Sequence, residues 1–139
     1  ICNAEIKKLI ETAGIKTTIR EESQCTVKFT SPHEAPPWPG AQAPTENGYH
    51  FKDIFTHPGD SNSFTETKKV LAMPFVGPWC MTEDSIKKVL ELKPKYVLPI
   101  HDWLLHADAK DYYQSQLKSV FEATGIELLP NENGKVIEL

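Results

Sequence analysis

From Lys68 onward, short apolar runs alternate with longer stretches of helical period. "KKVLAMPF" gives way to "TEDSIKKVLELK", then "KYVLPI", "DAKDYYQSQLKSVFEATG" and "IELLP". A brief apolar run between turn residues reads as a strand covered on both faces. Apolar residues three and four apart read as a helix with one covered face. Alternation of the two leaves few architectures open, and the simplest is an α/β layer. In the first helix Thr82 is the expected N-cap, Glu83 and Asp84 sit in the first turn, and Ile86, Val89 and Leu90 point inward. Gly125 is the expected stop of the second. "IELLP" and "KVIEL" are expected to close the chain as a hairpin around "NENG".

The first half reads differently. "NAEIKKLIETAG" predicts a helix capped by Asn3, with a stripe of Ile6, Leu9 and Ile10 and a stop at Gly14. "IKTTIR" and "QCTVKFT" predict a hairpin across "EES". The stretch "SPHEAPPWPGAQAPTENG" holds five prolines and two glycines, which predicts a long loop. Long loops inside compact domains usually carry function or are disordered. "YHF" and "DIFTH" read as short strands.

At 139 residues one domain, 1–139, is the default. A net charge of −4 without a basic block gives no footprint for nucleic acid. No apolar run approaches the length of a membrane span. Three cysteines, Cys2, Cys25 and Cys80, with no C-x-x-C pair argue against a disulfide framework or a structural zinc knot. A cytoplasmic setting is the expectation.

Three β-rich runs share one design. "TVKFTSPH" ends on His33, "DIFTHPGD" on Asp60 and "KYVLPIH" on His101. Each is a strand, a Pro-containing turn and then a side chain able to bind a metal. Strands that end on one side of a sheet would gather these groups at its edge, as rigid strands commonly position functional loops. Imidazole nitrogen and carboxylate oxygen suit Zn²⁺, and also Mn²⁺ or Fe²⁺. No local motif such as H-E-x-x-H accompanies them.

"HPGDS", followed by "VLAMPFVGPWCMTEDSIKKVLELKPKYVLPIHDW", resembles the second half of a metallo-β-lactamase-fold Zn-dependent hydrolase, in its ascorbate-6-phosphate-lactonase-like branch. The strong part of the match covers about residues 54–103, and a weaker part runs back to Ile1. The resemblance implies an αββα sandwich with a metal site, usually of two ions, at the sheet edges. It implies that His33 and His101 each complete one metal's ligand set. Asp60 would bridge the two ions and orient the nucleophile, which makes it the catalytic candidate. The implied reaction is attack of metal-bound hydroxide on a lactone, ester, amide or phosphodiester, with a small-molecule substrate as partner.

The resemblance also has a gap. The family's H-x-H-x-D-H motif is absent from this sequence. The expectation is therefore a truncated domain, the C-terminal half to two-thirds of the fold, with partial metal occupancy or none. Two further expectations follow: homo-oligomerisation or dependence on a missing N-terminal segment, and exposed apolar surface at Val70, Leu71, Val97 and Leu98. One alternative is a non-catalytic α/β interaction module that has lost its first metal motif. Another is a metal-independent domain whose His and Asp are ordinary turn residues.

The remaining candidates have plainer readings. His57 reads as part of a strand rather than a donor to the site. His50 and His106 read as core or surface residues. Cys80 reads as a small buried hydrophobe. Trp38, Trp79 and Trp103 either line a substrate pocket or pack against loops.

Overall fold

The computed structural model describes residues 4–19, 27–130, 132 and 134–139. Within them lie α1 (Ala4–Thr12), β1 (Lys28–Thr30), β2 (Asn47–Phe51), β3 (Phe55–His57), β4 (Val70–Pro74), α2 (Thr82–Leu92), β5 (Tyr96–Ile100), α3 (Ala107–Glu122) and β6 (Glu127–Leu128). The strands form one six-stranded sheet in the order β1-β2-β3-β4-β5-β6. The first three make an antiparallel meander, and β3 through β6 run parallel. Parallel neighbours need a crossover, and α2 and α3 supply the last two. The α/β reading of the second half therefore holds.

The helices cover one sheet face. Leu71 and Met73 of β4, Val97 of β5, Val89 of α2 and Leu117 and Phe121 of α3 form a single buried cluster with Phe64, Phe75 and Ile126. Side chains alternate along a strand, yet β4 is buried at every position, as the central strand of the sheet. On β5, Val97 and Pro99 are buried while Tyr96, Leu98 and Ile100 are half-buried. The expected loss of cover is thus corrected for Val70, Leu71 and Val97, which are 0–2% exposed. They lie in the best-packed strand pair, where the chain covers them itself. Only Leu98 stays partly open, on the face away from α2 and α3.

Helix α3 stops as expected. Gly125 adopts φ +76, its N–H reaches the Glu122 carbonyl, and the Ile126 N–H reaches that of Phe121. This is a Schellman turn, and its apolar contact is made by Ile126 and Phe121 in the core.

Four local expectations are corrected. Residues 15–19 form no strand, so only β1 survives from the proposed hairpin, and residues 20–26 lie outside the described residues. Thr82 is the first helical residue, and Met81 holds the cap position without a side-chain bond. The Thr82 hydroxyl is engaged instead with the Phe75 carbonyl and the Tyr113 hydroxyl. The terminal hairpin does not form among the described residues: β6 pairs in parallel with β5, and residues 135–139 carry no strand. Helix α1 is present, but Ile6 and Leu9 are exposed and it buries nothing. Its proposed cap Asn3, like Cys2 and Cys25, lies outside the described residues.

Candidate functional site

Strand direction decides what meets at each edge of the sheet. β1 and β3 are both antiparallel to β2, so they point the same way, and β4 and β5 point with β3. The segments after β1, β3, β4 and β5 therefore leave at one edge, and the segment before β2 arrives there. His33, Asp60, Trp79 and His101 are on the departing segments, and Glu46 is on the arriving one. Such an edge is where open α/β sheets usually bind ligands.

The side chains converge. His33 Nε2 lies 3.5 Å from Asp60 Oδ2, and His101 Nε2 lies 2.6 Å from Asp60 Oδ1. One carboxylate thus presents one oxygen to each ring. The His101 approach is a close ion-pair contact without hydrogen-bond geometry, and the buried Oδ1 accepts no hydrogen bond among the described residues. His33 Nδ1 lies 2.6 Å from the Glu34 carbonyl oxygen. A carbonyl only accepts, so Nδ1 carries the proton, and in the neutral ring Nε2 turns a lone pair toward Asp60. In that form two acceptors face each other with room for a cation between them, whereas a ring protonated on both nitrogens would pair with the carboxylate directly. That donor set fits a metal. Among the described residues, however, no group of three or more His, Cys, Asp or Glu side chains is arranged to hold a single ion. The geometry is two His–Asp pairs sharing one carboxylate.

The turn that presents Asp60 is built tightly. Gly59 takes φ +71 and is buried, and a Cβ there would fall 2.2 Å from Glu46 Oε1. Its N–H is accepted by His57 Nδ1 at 3.1 Å, while the buried Ser31 hydroxyl donates to the Pro58 carbonyl at 2.5 Å. His57 belongs to β3 and steadies the turn rather than facing Asp60 through a bond. His101 also takes a left-handed backbone, φ +63, directly after β5. For a residue with a Cβ this costs about 1–2 kcal/mol, and such strain clusters at functional sites.

Trp79 roofs the pair. Its ring meets His101 edge-on at 5.3 Å and His33 at 5.5 Å, and its buried Nε1 has no hydrogen-bond partner among the described residues. Of the three tryptophans it is the one at the site; Trp38 and Trp103 are 59% and 75% exposed. Cys80 is buried, its Sγ lies against the Ser85 hydroxyl, and burial pushes its thiol up. His50 stacks on Phe29 and bonds the Thr56 hydroxyl, and His106 precedes α3 in solvent.

Two acidic residues escaped the sequence reading. Glu46 Oε2 accepts the Asp60 N–H at 2.9 Å, and the Glu34 N–H donates to the Asp60 carbonyl at 3.1 Å. Glu34 Oε1 also accepts from the Asn62 N–H and the Ser63 hydroxyl. Burial pushes the Glu46 carboxyl up; the Asp60 N–H works against that rise, and the Asp60 charge adds to it. Glu46 directly precedes a strand that starts at the site edge, the signal by which it could have been found.

Comparison with known proteins agrees with this picture at the level of the fold. The structure superimposes on a protein of Parabacteroides distasonis provisionally named a metal-dependent hydrolase, with a TM-score of 0.56 and 18% identity. The match covers 88% of this chain and 60% of that one. Protein Rv0786c of Mycobacterium tuberculosis is 30% identical over 78 residues, 55% of this chain. The matched region spans 36% of that relative's length. No protein-family profile matches the chain. Among the described residues, no helix is long and apolar enough to cross a membrane.

Proposed function

We propose that this chain carries part of the metal centre of a metal-dependent hydrolase with the metallo-β-lactamase fold. The observation that carries the reading is the pair of unresolved contacts at Asp60. Each carboxylate oxygen is aimed at a separate imidazole nitrogen, and Oδ1 accepts no hydrogen bond among the described residues. In this reading His33, His101 and Asp60 would hold the metal, with Asp60 the residue that stands beside both histidines. Zn²⁺ is the first choice for this donor set, with Mn²⁺ or Fe²⁺ as substitutes. When bound, the metal supplies a Lewis acid and lowers the pKa of a coordinated water toward about 7.

The chain's own residues do the rest. Glu34 takes the His33 Nδ1 proton in a hydrogen bond through its carbonyl, which leaves Nε2 free to donate its lone pair. Trp79 packs over both imidazoles and shields them from water on one side. The substrate is a small molecule with a lactone, ester, amide or phosphodiester group, and a cytoplasmic setting suits the cysteine pattern. The branch resemblance favours a lactone or phosphoester.

Because H-x-H-x-D-H is absent from this sequence, the chain alone is expected to bind zinc weakly and not to turn over substrate. The same absence favours a second reading, a non-catalytic α/β module. Zinc titration of the purified chain, beside Asp60→Ala, separates them. Zinc binding that Asp60→Ala removes supports the metal centre, and equal binding by both proteins sinks it. No binding by either favours the module.

A further inference from the structure

The segment 31–46 does more than deliver His33. It returns to the site edge just before β2, and its two ends grip the same residue from opposite sides. At one end the Glu34 N–H donates to the Asp60 carbonyl, and the Glu34 carboxylate holds the Asn62 N–H at 2.7 Å and the Ser63 hydroxyl at 3.2 Å. At the other end the Glu46 carboxylate accepts the Asp60 N–H at 2.9 Å. Both backbone polar groups of Asp60 are thus held by residues of one loop. Residue 59 takes φ +71, which favours glycine, and a Cβ there would fall 2.2 Å from the Glu46 carboxylate and displace it.

A carboxylate is a costly choice for this task. It stands beside Asp60 and raises the local negative charge, where a serine or asparagine could accept the same N–H at less electrostatic cost. The arrangement makes sense if the direction of the Asp60 side chain matters more than local stability. We propose that Glu46 is a positioning residue: it locks the Asp60 backbone so that each carboxylate oxygen faces its own histidine.

This inference rests on the metal-centre reading above, so its test carries a metal-independent arm. Wild type, Glu46→Ala and Glu46→Gln are compared in the full chain. Zinc affinity is read by competition with a chromophoric chelator, and exchange of the Asp60 amide is read by NMR. Glutamine keeps an acceptor of the same shape and discards the charge. The expected result is a loss of zinc affinity of about 10–100-fold in Glu46→Ala, the usual scale for groups supporting a metal ligand. Glu46→Gln should stay within about threefold of wild type by the same reasoning, and only Glu46→Ala should lose Asp60 amide protection. Unchanged zinc affinity in a folded Glu46→Ala overturns the positioning role. Equal loss in both variants overturns it too, because charge alone would then be responsible. If wild type binds no zinc but the exchange contrast appears, the metal reading fails and the backbone lock is supported.

Discussion

Gly48 lies in β2 directly opposite Phe29 of β1, and the Phe29 ring is laid across it. A Cβ at residue 48 would come within 2.2 Å of Phe29 Cζ and 2.5 Å of Cε2. The same ring stacks on His50 at 4.4 Å and 22° and tilts against Phe64 at 6.0 Å. An aromatic ring covering a cross-strand glycine is a known way to support that glycine in a sheet. Gly48→Ala must push the ring away. Overpacking of this kind costs about 1–3 kcal/mol, and the lost ring stacking about 0.5–1.5 kcal/mol. Alanine in a strand regains about 0.5–1 kcal/mol over glycine. The backbone there is not left-handed, so alanine meets no conformational penalty. The net expectation is a destabilisation of about 0.5–4 kcal/mol, read as a shifted urea midpoint with unchanged slope. In a Phe29→Ala background the sign should reverse, and Gly48→Ala should become neutral or stabilising by about 0.5–1 kcal/mol. An equal cost in both backgrounds would refute the reasoning, since the ring would not be the obstacle.

Three more outcomes are expected. At position 101 glycine should be more stable than alanine by about 1 kcal/mol, because φ +63 strains only a residue with a Cβ; urea unfolding of His101→Gly and His101→Ala checks this. Cys80, in a chain with Cys2→Ser and Cys25→Ser, should react with a disulfide reagent at pH 8 far more slowly than a free thiol, and quickly once unfolded. Its folded pKa is raised by burial, so its contribution to stability is complete below the ordinary thiol pKa and is lost as pH rises through the folded value; an alkaline fall in urea midpoint that Cys80→Ala reduces is the readout. Asp60→Asn should leave the fold intact by circular dichroism while weakening zinc binding at least about tenfold, and unchanged affinity would remove Asp60 from the ligand set.

The sequence shows best what is encoded locally. Val70–Pro74 and Tyr96–Ile100 are apolar runs between turn residues, and α2 and α3 carry clear periods, so each is visible without its partners. The meeting of His33, Asp60 and His101 at one edge was legible because each closes a strand with turn chemistry of its own. Glu46 was not, because its relevance depends on β2 running against its neighbours, a fact of long-range pairing. The failure at β6 has the same origin. "IELLP" is a good strand in isolation, and nothing within it says that it pairs with β5 rather than with the residues that follow. Thr82 was misread because its hydroxyl meets Tyr113, which lies 31 residues away in the chain. Helix α1 shows the converse: its amphipathic stripe is real, and the described residues offer that stripe no core.

Every candidate ligand leaves or reaches the sheet at one edge, and among the described residues none of them lies at the opposite edge. There β2 turns into β3 through residues 52–54, with Lys52 at φ +53 and Ile54 exposed. Lys93 closes α2 at φ +50, and Gly125 turns α3 into β6. These junctions reverse the chain. The candidate site therefore occupies one end of the sheet and leaves the other available for handling. A fluorophore, an affinity tag or a tether placed between Lys52 and Asp53 would sit a full strand length from Asp60, and surface immobilisation through that turn would present the histidines outward to whatever is supplied in solution.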